Sequence, residues 1–288
     1  MSPSSDLPVI PAQRADDLCN LHLAERCDLA LFMAGNQFMV MPELISAFQA
    51  RYPDIRNIFY ETLPPRIEMN QILAGGAIFQ GRRLSVYPDV YASVNLESMK
   101  TLEANGHIRA GEYHTYLHNR LTLITPRGNP AGIRRVEDLG REQVRVSQPD
   151  PMGEDIALHI MEMYRDAGGN DLVRQIMEVK RAEGTTILTV VHHRETPLRI
   201  AKATVDVGPV WATEAAHARN AGLAFDIVEP GERLDQRNKI NYYIGKTAHA
   251  AHEKEASCFI DFIRSPGAQK IYEKYGFVSP ETSSHDNI

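Results

Sequence analysis

The chain has 288 residues, of which 43% are hydrophobic, so it can bury a substantial core in one large domain or in two smaller ones. Its formal charge is -6 at pH 7, and no run of Lys and Arg is longer than two residues. Because nucleic-acid binding requires a basic surface, nucleic acid is excluded as an expected partner.

The first residues contain several prolines and acids but no apolar run of signal-peptide length. No stretch approaches the ~20 apolar residues that a membrane span requires. These features predict a cytoplasmic protein without direct membrane insertion. If the chain is a processed or trimmed form, a periplasmic location is expected instead.

Short apolar segments alternate with helical segments along the whole chain, and this alternation indicates an α/β protein with mostly parallel sheets. The predicted strands are Leu29 to Met33, Ile55 to Glu61, Val86 to Ala92, Leu121 to Thr125, Val144 to Ser147, Val205 to Val210, Phe225 to Val228 and Asn241 to Gly245. The predicted helices are Pro42 to Gln49, Arg66 to Leu73, Leu96 to Ala104, Glu154 to Ala167, Leu172 to Val179, Thr196 to Lys202, Thr213 to Ala221, Ala250 to Ile263 and Pro266 to Tyr275.

Phrases near both ends of the chain carry a family resemblance. The first is DLALFMAGN, which begins at Asp28, and the second runs from Phe259 to Phe277 and includes AQKIY and YGF. Further phrases between them keep the same order: NRLTLITP from Asn119, VEDL from Val136 and DVGPVW from Asp206. Over about residues 28 to 279 the sequence resembles the type II periplasmic solute-binding proteins and, among them, the molybdate-binding branch.

This resemblance implies a fold of two lobes, each a mostly parallel sheet flanked by helices, joined by a two-strand hinge. Lobe one would comprise residues 28–117 and 242–288, lobe two residues 118–241, and residues 1–27 would be an N-terminal extension. The ligand would bind in the cleft between the lobes. The segment from Phe79 to Ser85 interrupts a continuous family phrase and is expected to be a surface loop, with a ligand contact by Arg82 or Arg83 as the alternative.

In the family pattern, four turns that connect a strand to a helix converge on the ligand. Here we name them the first turn (residues 34–37), the second (61–66), the third (147–155) and the fourth (191–197). Such turns suit an oxyanion because helix N-termini present free N–H groups and a partial positive charge. The predicted ligand-binding residues are, in chain order, Asn36, Arg66, Gly153, His193, Arg194, Glu195, Trp211 and Tyr243.

Several of these positions depart from the pattern of a molybdate site. Asn36 replaces a hydroxyl residue, and Pro64 and Pro65 replace a Gly/Ser-rich turn and remove backbone donors. Arg66 can replace these donors, because a guanidinium suits a carboxylate or phosphate. These departures leave a bulkier oxyanion, an organic acid or a phosphate ester open as alternative ligands. A structural role remains open at each position: Asn36 as a helix cap, Arg66 on the surface, and Trp211 in the core. Either Tyr242 or Tyr243 should face the ligand, and Tyr243 is assigned.

Two other classes of function remain open. An enzyme would use His193, Glu195, Glu61 and Asp150, but the sequence lacks an HExxH motif, a nucleophile elbow, a Walker loop and a GxGxxG fingerprint. A metal-binding protein would use His193, Glu195 and Glu61 as ligands. The preferred prediction is a monomeric binding protein, not an enzyme, that needs no cofactor. It would bind a small anion reversibly for uptake by the membrane component of an ABC importer, or as a soluble sensor.

Overall fold

The computed structural model describes residues 7–192 and 194–280. Contacts divide these residues into two compact units. The first contains residues 7–10, 16–118 and 241–280, and the second contains residues 11–15 and 119–240. A short piece of the N-terminal segment therefore belongs to the second unit, whereas the residues on either side of it belong to the first.

The strands are short and mostly buried. They are β1 (Val9–Ile10), β2 (Leu18–Cys19), β3 (Leu29–Phe32), β4 (Ile58–Glu61), β5 (Ala77–Phe79), β6 (Arg82–Leu84), β7 (Val90–Ser93), β8 (Ile108–His118), β9 (Leu121–Pro126), β10 (Val146–Gln148), β11 (Thr186–Leu188), β12 (Gly208–Trp211), β13 (Phe225–Val228) and β14 (Asn241–Thr247).

The helices follow the strands in the alternation that the sequence predicts. They are α1 (Met41–Arg51), α2 (Pro65–Ala74), α3 (Leu96–Ala104), α4 (Ile156–Arg174), α5 (Lys180–Ala182), α6 (Glu195–Ala201), α7 (Ala212–Asn220), α8 (Glu253–Ile263) and α9 (Pro266–Lys274). Gly168 and Gly169 leave helical geometry within α4, so the helix breaks where the glycine pair predicts its end. No helix in residues 7–192 and 194–280 combines the length and the apolar character needed to cross a bilayer.

The first unit is built around a sheet with the strand order β2-β4-β3-β7-β14-β8. Strand β3 runs parallel to both β4 and β7, so these three strands end at the same edge of the sheet. The two ends of the matching sequence pack together in this unit. Phe48 of α1 lies 5.2 Å from Phe259 and 5.4 Å from Phe262 of α8, measured between ring centroids.

The segment from Phe79 to Ser85 forms a β-hairpin, although the sequence predicted a loop. Strands β5 and β6 pair antiparallel, and β1 of the N-terminal segment adds to β5 in parallel. Gln80 and Gly81 at the tip both have positive φ, 49° and 76°, as a type I′ turn requires. Strand β1 pairs with Ile78 and Phe79 of β5, so most of the extra residues form the tip and the second strand of the hairpin.

The second unit contains the sheet β12-β9-β13 and the parallel pair β10-β11. A parallel bridge joins Val146 of β10 to Val207, the residue before β12, so β12 runs in the same direction as β10. Strands β10, β11 and β12 therefore end toward a common edge. The third turn, the fourth turn and the start of α7 follow these strand ends.

Candidate functional site

In the first unit, the strand-to-helix connections follow β3, β4 and β7. In open α/β sheets, ligands bind outside the carboxyl ends of the parallel strands. The first turn follows β3, the second follows β4, and Asn95, which follows β7, caps α3 by accepting a hydrogen bond from the N–H of Glu97 at 2.9 Å. The first and second turns lie close together. A Cβ added at Gly35 would be 3.2 Å from the carbonyl oxygen of Thr62.

Asn36 lies in a short 3-10 turn and is only 3% exposed. Its side-chain amide donates a hydrogen bond to the hydroxyl of Tyr242. Tyr242 is fully buried, whereas the ring of Tyr243 is half-buried and packs edge to face on Tyr113, with 6.2 Å between centroids. The structure therefore brings Asn36 together with Tyr242 and not with Tyr243.

The buried side chain of the neighbouring residue Gln37 holds the first turn in place through two hydrogen bonds. Its amide nitrogen donates to the hydroxyl of Tyr116 at 2.6 Å, and its amide oxygen accepts from the hydroxyl of Tyr272 at 2.8 Å. Because a buried amide with both ends bonded has one orientation, the backbone of the first turn is held in place.

The second turn is stiffened by its proline pair. Pro64 precedes α2 and Pro65 is its first residue, where the missing N–H costs nothing. Glu68 reaches back and accepts a hydrogen bond from the N–H of Leu63 at 3.1 Å. Arg66, the second residue of α2, is exposed.

Glu61, the last residue of β4, is fully buried. Burial raises its pKa well above the usual range, and the nearby carboxylate of Asp17 raises it further. A raised pKa favours the uncharged acid. Glu61 in this form does not repel an anion, and it is a poor ligand for a metal ion.

The third turn folds around Asp150 in the second unit. The Asp150 carbonyl accepts hydrogen bonds from the N–H groups of Gly153 at 3.2 Å and Glu154 at 2.9 Å, and its carboxylate accepts one from the N–H of Met152 at 3.0 Å. These bonds assign Asp150 a turn-forming role. Gly153 is half-buried at the end of the turn, just before α4.

Arg14 of the N-terminal segment reaches the third and fourth turns. Its Nη2 lies 2.7 Å from Oε1 of Glu154 and also donates to the carbonyl oxygen of Val191. Both side chains of this ion pair are nearly fully buried, at 6% and 5% exposure. Sequence reasoning missed Arg14, because its partner is 140 positions away and no local pattern marks it.

In the fourth turn, Glu195 is bound by the backbone that precedes it. Its Oε1 accepts hydrogen bonds from the N–H groups of Val190 at 2.9 Å, Val191 at 2.6 Å and His192 at 3.1 Å. Its Oε2 lies 2.7 Å from Nη2 of Arg199. Burial alone would raise the pKa of Glu195, but these N–H groups and Arg199 outweigh burial and hold the pKa below its usual range.

The other residues predicted in the fourth turn occupy different surroundings. Arg194 is half-buried at the N-cap of α6. His193 lies outside the described residues. Sequence analysis treated Glu195 as a ligand group, yet its two oxygens are bonded within the turn, so the structure gives it an organising role there.

We expect Glu195→Gln to lower the free energy of unfolding by about 1–2 kcal/mol at neutral pH, because the carboxylate loses charge-assisted hydrogen bonds. A lowered pKa in the folded state means that this stabilisation is present above the unfolded pKa of about 4.3 and is lost as pH falls through the folded pKa. Urea unfolding between about pH 7 and pH 3 should therefore show the difference between the two proteins shrinking in acid.

Glu232→Gln is the matched control, because Glu232 is 82% exposed in its ion pair with Arg237. It should change stability little at any pH. If the difference in the free energy of unfolding between the wild type and Glu195→Gln did not change with pH, the assigned role of the carboxylate would be contradicted.

Trp211 is the last residue of β12 and is 2% exposed. Its ring packs against His159, with 5.8 Å between ring centroids. Burial, assisted by Lys239, lowers the pKa of His159 to about 4, so the imidazole is neutral at physiological pH. Trp211 thus packs in the interior of the second unit, beside the start of α7.

The metal alternative has limited support in the part of the chain that the structure describes. Within residues 7–192 and 194–280, no three His, Cys, Asp or Glu side chains are grouped so that they could hold a metal ion. Glu61 and Glu195 belong to different units. Glu61 also favours its protonated form, and the carboxylate of Glu195 is already hydrogen-bonded.

Comparison of the structure with solved structures defines its class. It has the α/β fold of the type II periplasmic binding proteins, as the sequence predicted. The periplasmic molybdate-binding protein of Azotobacter vinelandii has a TM-score of 0.68 and 16% identity, with 88% of this chain and 100% of that chain covered. The sulfate-binding protein SubI of Mycobacterium tuberculosis H37Rv also has a TM-score of 0.68, at 19% identity, with 88% and 87% covered.

The chain belongs to the bacterial extracellular solute-binding protein family, whose model matches residues 29–278. It is also similar to a Bacillus subtilis (strain 168) protein named as an ABC transporter substrate-binding lipoprotein, YvgL, with 22% identity over 191 residues, 66% of this chain and 67% of the relative. Family membership confirms the prediction of a solute-binding protein that is not an enzyme.

The expectation of a cytoplasmic protein was wrong. The matching family consists of extracellular solute-binding proteins, and the Bacillus subtilis relative is named as a lipoprotein. The expectation rested on the absence of an apolar leader, a feature that carries no information about the family of the folded chain. The residues that carry the family match lie well inside the sequence.

Proposed function

We propose that the protein binds a small oxyanion, of the molybdate or sulfate class, and delivers it to the membrane component of an ABC importer. The turns at the carboxyl ends of the strands would supply the ligand-binding groups. The importer partner is inferred from the name of the Bacillus subtilis relative, and the ligand class from the names of the two solved structures.

The observation that carries this proposal is the arrangement of the turns. In the first unit, β3, β4 and β7 end at one edge, and each is followed by a turn and a helix. The second unit repeats this arrangement after β10, β11 and β12. Within each unit, turns that follow neighbouring parallel strands aim backbone N–H groups at one edge of the sheet, and this geometry favours an anion.

The charges around these turns support an anion over a cation. Glu61 favours its uncharged form, Glu154 is paired with Arg14, and Glu195 is paired with Arg199. In each of these three acids the negative charge is therefore either disfavoured by burial or paired with an arginine. We propose Asn36, Arg66, Gly153, His193 and Arg194 as ligand contacts at the turns, with Tyr242, which contacts Asn36, in place of Tyr243.

The test is a thermal-shift screen of protein dialysed against a chelator. The probes are molybdate, tungstate, sulfate, phosphate, citrate and divalent metal chlorides. A ligand at about 100 times its Kd adds about 2.7 kcal/mol of stability, which raises Tm by a few degrees. We expect stabilisation by one or more oxyanions.

Each outcome of the screen has a distinct meaning. Stabilisation by citrate alone would move the ligand class to organic carboxylates. A response to a metal chloride, with none to any anion, would contradict the proposal. Sodium chloride at matched ionic strength controls for general screening of the protein's negative charge.

A further inference from the structure

We propose that a cavity beside α9 in the first unit is a second binding site, and that it takes a small organic anion. The cavity has a volume of about 540 Å³ and is lined by residues of β8, of α9 and of the chain that follows α9. Its lining contains no residue of the four turns. The inference therefore does not depend on oxyanion binding at those turns.

The walls of the cavity are joined by hydrogen bonds on two sides. At the start of α9, Nε2 of Gln269 donates to the carbonyl oxygens of Ile263 at 2.8 Å and Tyr116 at 3.2 Å, which ties the helix to β8. After α9 the chain returns to β8, because Val278 and His118 exchange two backbone hydrogen bonds, of 2.8 and 3.0 Å. The cavity is thus a fixed feature of the fold between these contacts.

Two cationic side chains line the cavity. Arg264 follows α8, Lys270 lies in α9, and both are exposed. Within residues 7–192 and 194–280, neither of these side chains forms an ion pair or a hydrogen bond. By contrast, Nζ of Lys274 in the same helix lies 2.7 Å from Oε2 of Glu43. Two unpaired cationic groups on one cavity favour an anionic ligand, because both then gain charge-assisted hydrogen bonds.

The rest of the lining indicates an organic anion. Pro266 and Pro280 supply apolar surface, and Thr115 supplies a hydroxyl group. Glu273 also lines the cavity, and its Oε1 accepts a hydrogen bond from the hydroxyl of Ser279 at 2.8 Å. The volume lies within the range of about 300–1,000 Å³ that is typical of small-molecule sites. A ligand that carries an anionic group for the cations and a hydroxyl or ammonium donor for the carboxylate satisfies both charges.

The experiment is isothermal titration calorimetry with citrate, L-glutamate and glycerol 3-phosphate, which each join an anionic group to a donor, and with sulfate as the inorganic probe. The proteins are the wild type, Arg264→Gln, Lys270→Gln and the double variant, each checked for folding by circular dichroism. The matched control combines Lys100→Gln with Lys254→Gln. It removes two positive charges from exposed lysines of the same unit that do not line the cavity.

We expect at least one organic probe to bind the wild type. Each single variant should weaken its binding by about tenfold, since one charge-assisted hydrogen bond is lost. The double variant should weaken it by about 100-fold if the two contributions are independent. The lysine control should stay within about twofold of the wild type, because exposed charges away from the cavity are screened by salt.

Thr115→Trp tests the cavity without changing the charge. The larger side chain should fill the cavity and weaken binding of the same probe by at least tenfold, and Thr115 is exposed, so the fold should tolerate it. Unchanged binding in this variant would mean that the probe binds outside the cavity, which contradicts the proposal.

Three other results would overturn the proposal: no organic probe binding to the wild type, equal affinity in the double variant, or an equal loss in the lysine control. A citrate response that the double variant loses belongs to the cavity and not to the turns. The response to sulfate should be the same in the wild type and the double variant. If an organic probe binds through Arg264 and Lys270 while no oxyanion binds at all, the proposed function fails and the second site stands.

Discussion

Lys180→Met is expected to lower the free energy of unfolding by about 3–5 kcal/mol, since it removes a buried cation from three backbone carbonyls. The side chain is fully buried, and Nζ donates to the carbonyl oxygens of Arg141 at 2.6 Å, Glu142 at 3.2 Å and Val144 at 2.6 Å. Methionine matches the length of lysine but leaves these carbonyls without a donor. Urea unfolding of the two proteins measures the loss.

The carbonyls that Lys180 binds lie in the chain that leads into β10, and β10 leads into the third turn. Lys180→Met should therefore also weaken anion binding, because it disturbs the position of the third turn. Lys202→Met is the matched control, because Lys202 is exposed and its substitution removes the same positive charge. Equal stability losses in the two variants would contradict the structural role of Lys180.

Gly208→Ala is expected to cost about 1–3 kcal/mol of stability and to weaken anion binding, because β12 and α6 pack too closely for a side chain. A Cβ at Gly208 would lie 2.2 Å from Cγ2 of Thr196 and 3.3 Å from the carbonyl oxygen of Ser147. Thr196 is buried and β-branched, so it cannot turn away cheaply. Its hydroxyl is also hydrogen-bonded to that of Ser147 at 2.9 Å.

The clash at Gly208 has a direct rescue. Thr196→Ser deletes the methyl group that blocks the new Cβ and retains the hydroxyl that bonds Ser147. We expect Gly208→Ala combined with Thr196→Ser to recover most of the lost stability and affinity, as thermal unfolding and titration calorimetry would show. A double variant no better than Gly208→Ala alone would mean that the methyl contact is not the cause.

Much of the fold could be predicted from the sequence, because local signals and the apolar pattern agree. Ser265 before Pro266 predicts the start of α9, and its hydroxyl accepts from the N–H of Ala268 at 3.4 Å. Gly168 and Gly169 predict the break in α4. The hairpin around Gln80 was missed, because its strands have three residues each and Gln-Gly is a weaker hairpin signal than Asn-Gly.

The site was harder to predict, because its contacts are either distant or purely geometric. Arg14 is placed by strand pairing and meets Glu154 far along the chain. Glu195 has a local explanation that could have been found, since an acid a few residues after a turn often reaches back to free N–H groups. The pairing of Asn36 with Tyr242 instead of Tyr243 depends on the register of β14, which sequence alone does not fix.

The most direct test of oxyanion binding at these turns is a crystal structure of the protein grown with tungstate, located by its anomalous scattering. The account predicts a strong peak within hydrogen-bonding distance of backbone N–H groups of one or more of these turns, with Asn36, Arg66 or Arg194 among the contacts. A peak confined to other surface residues, or no bound tungstate in a protein that calorimetry shows to bind it, would contradict the account.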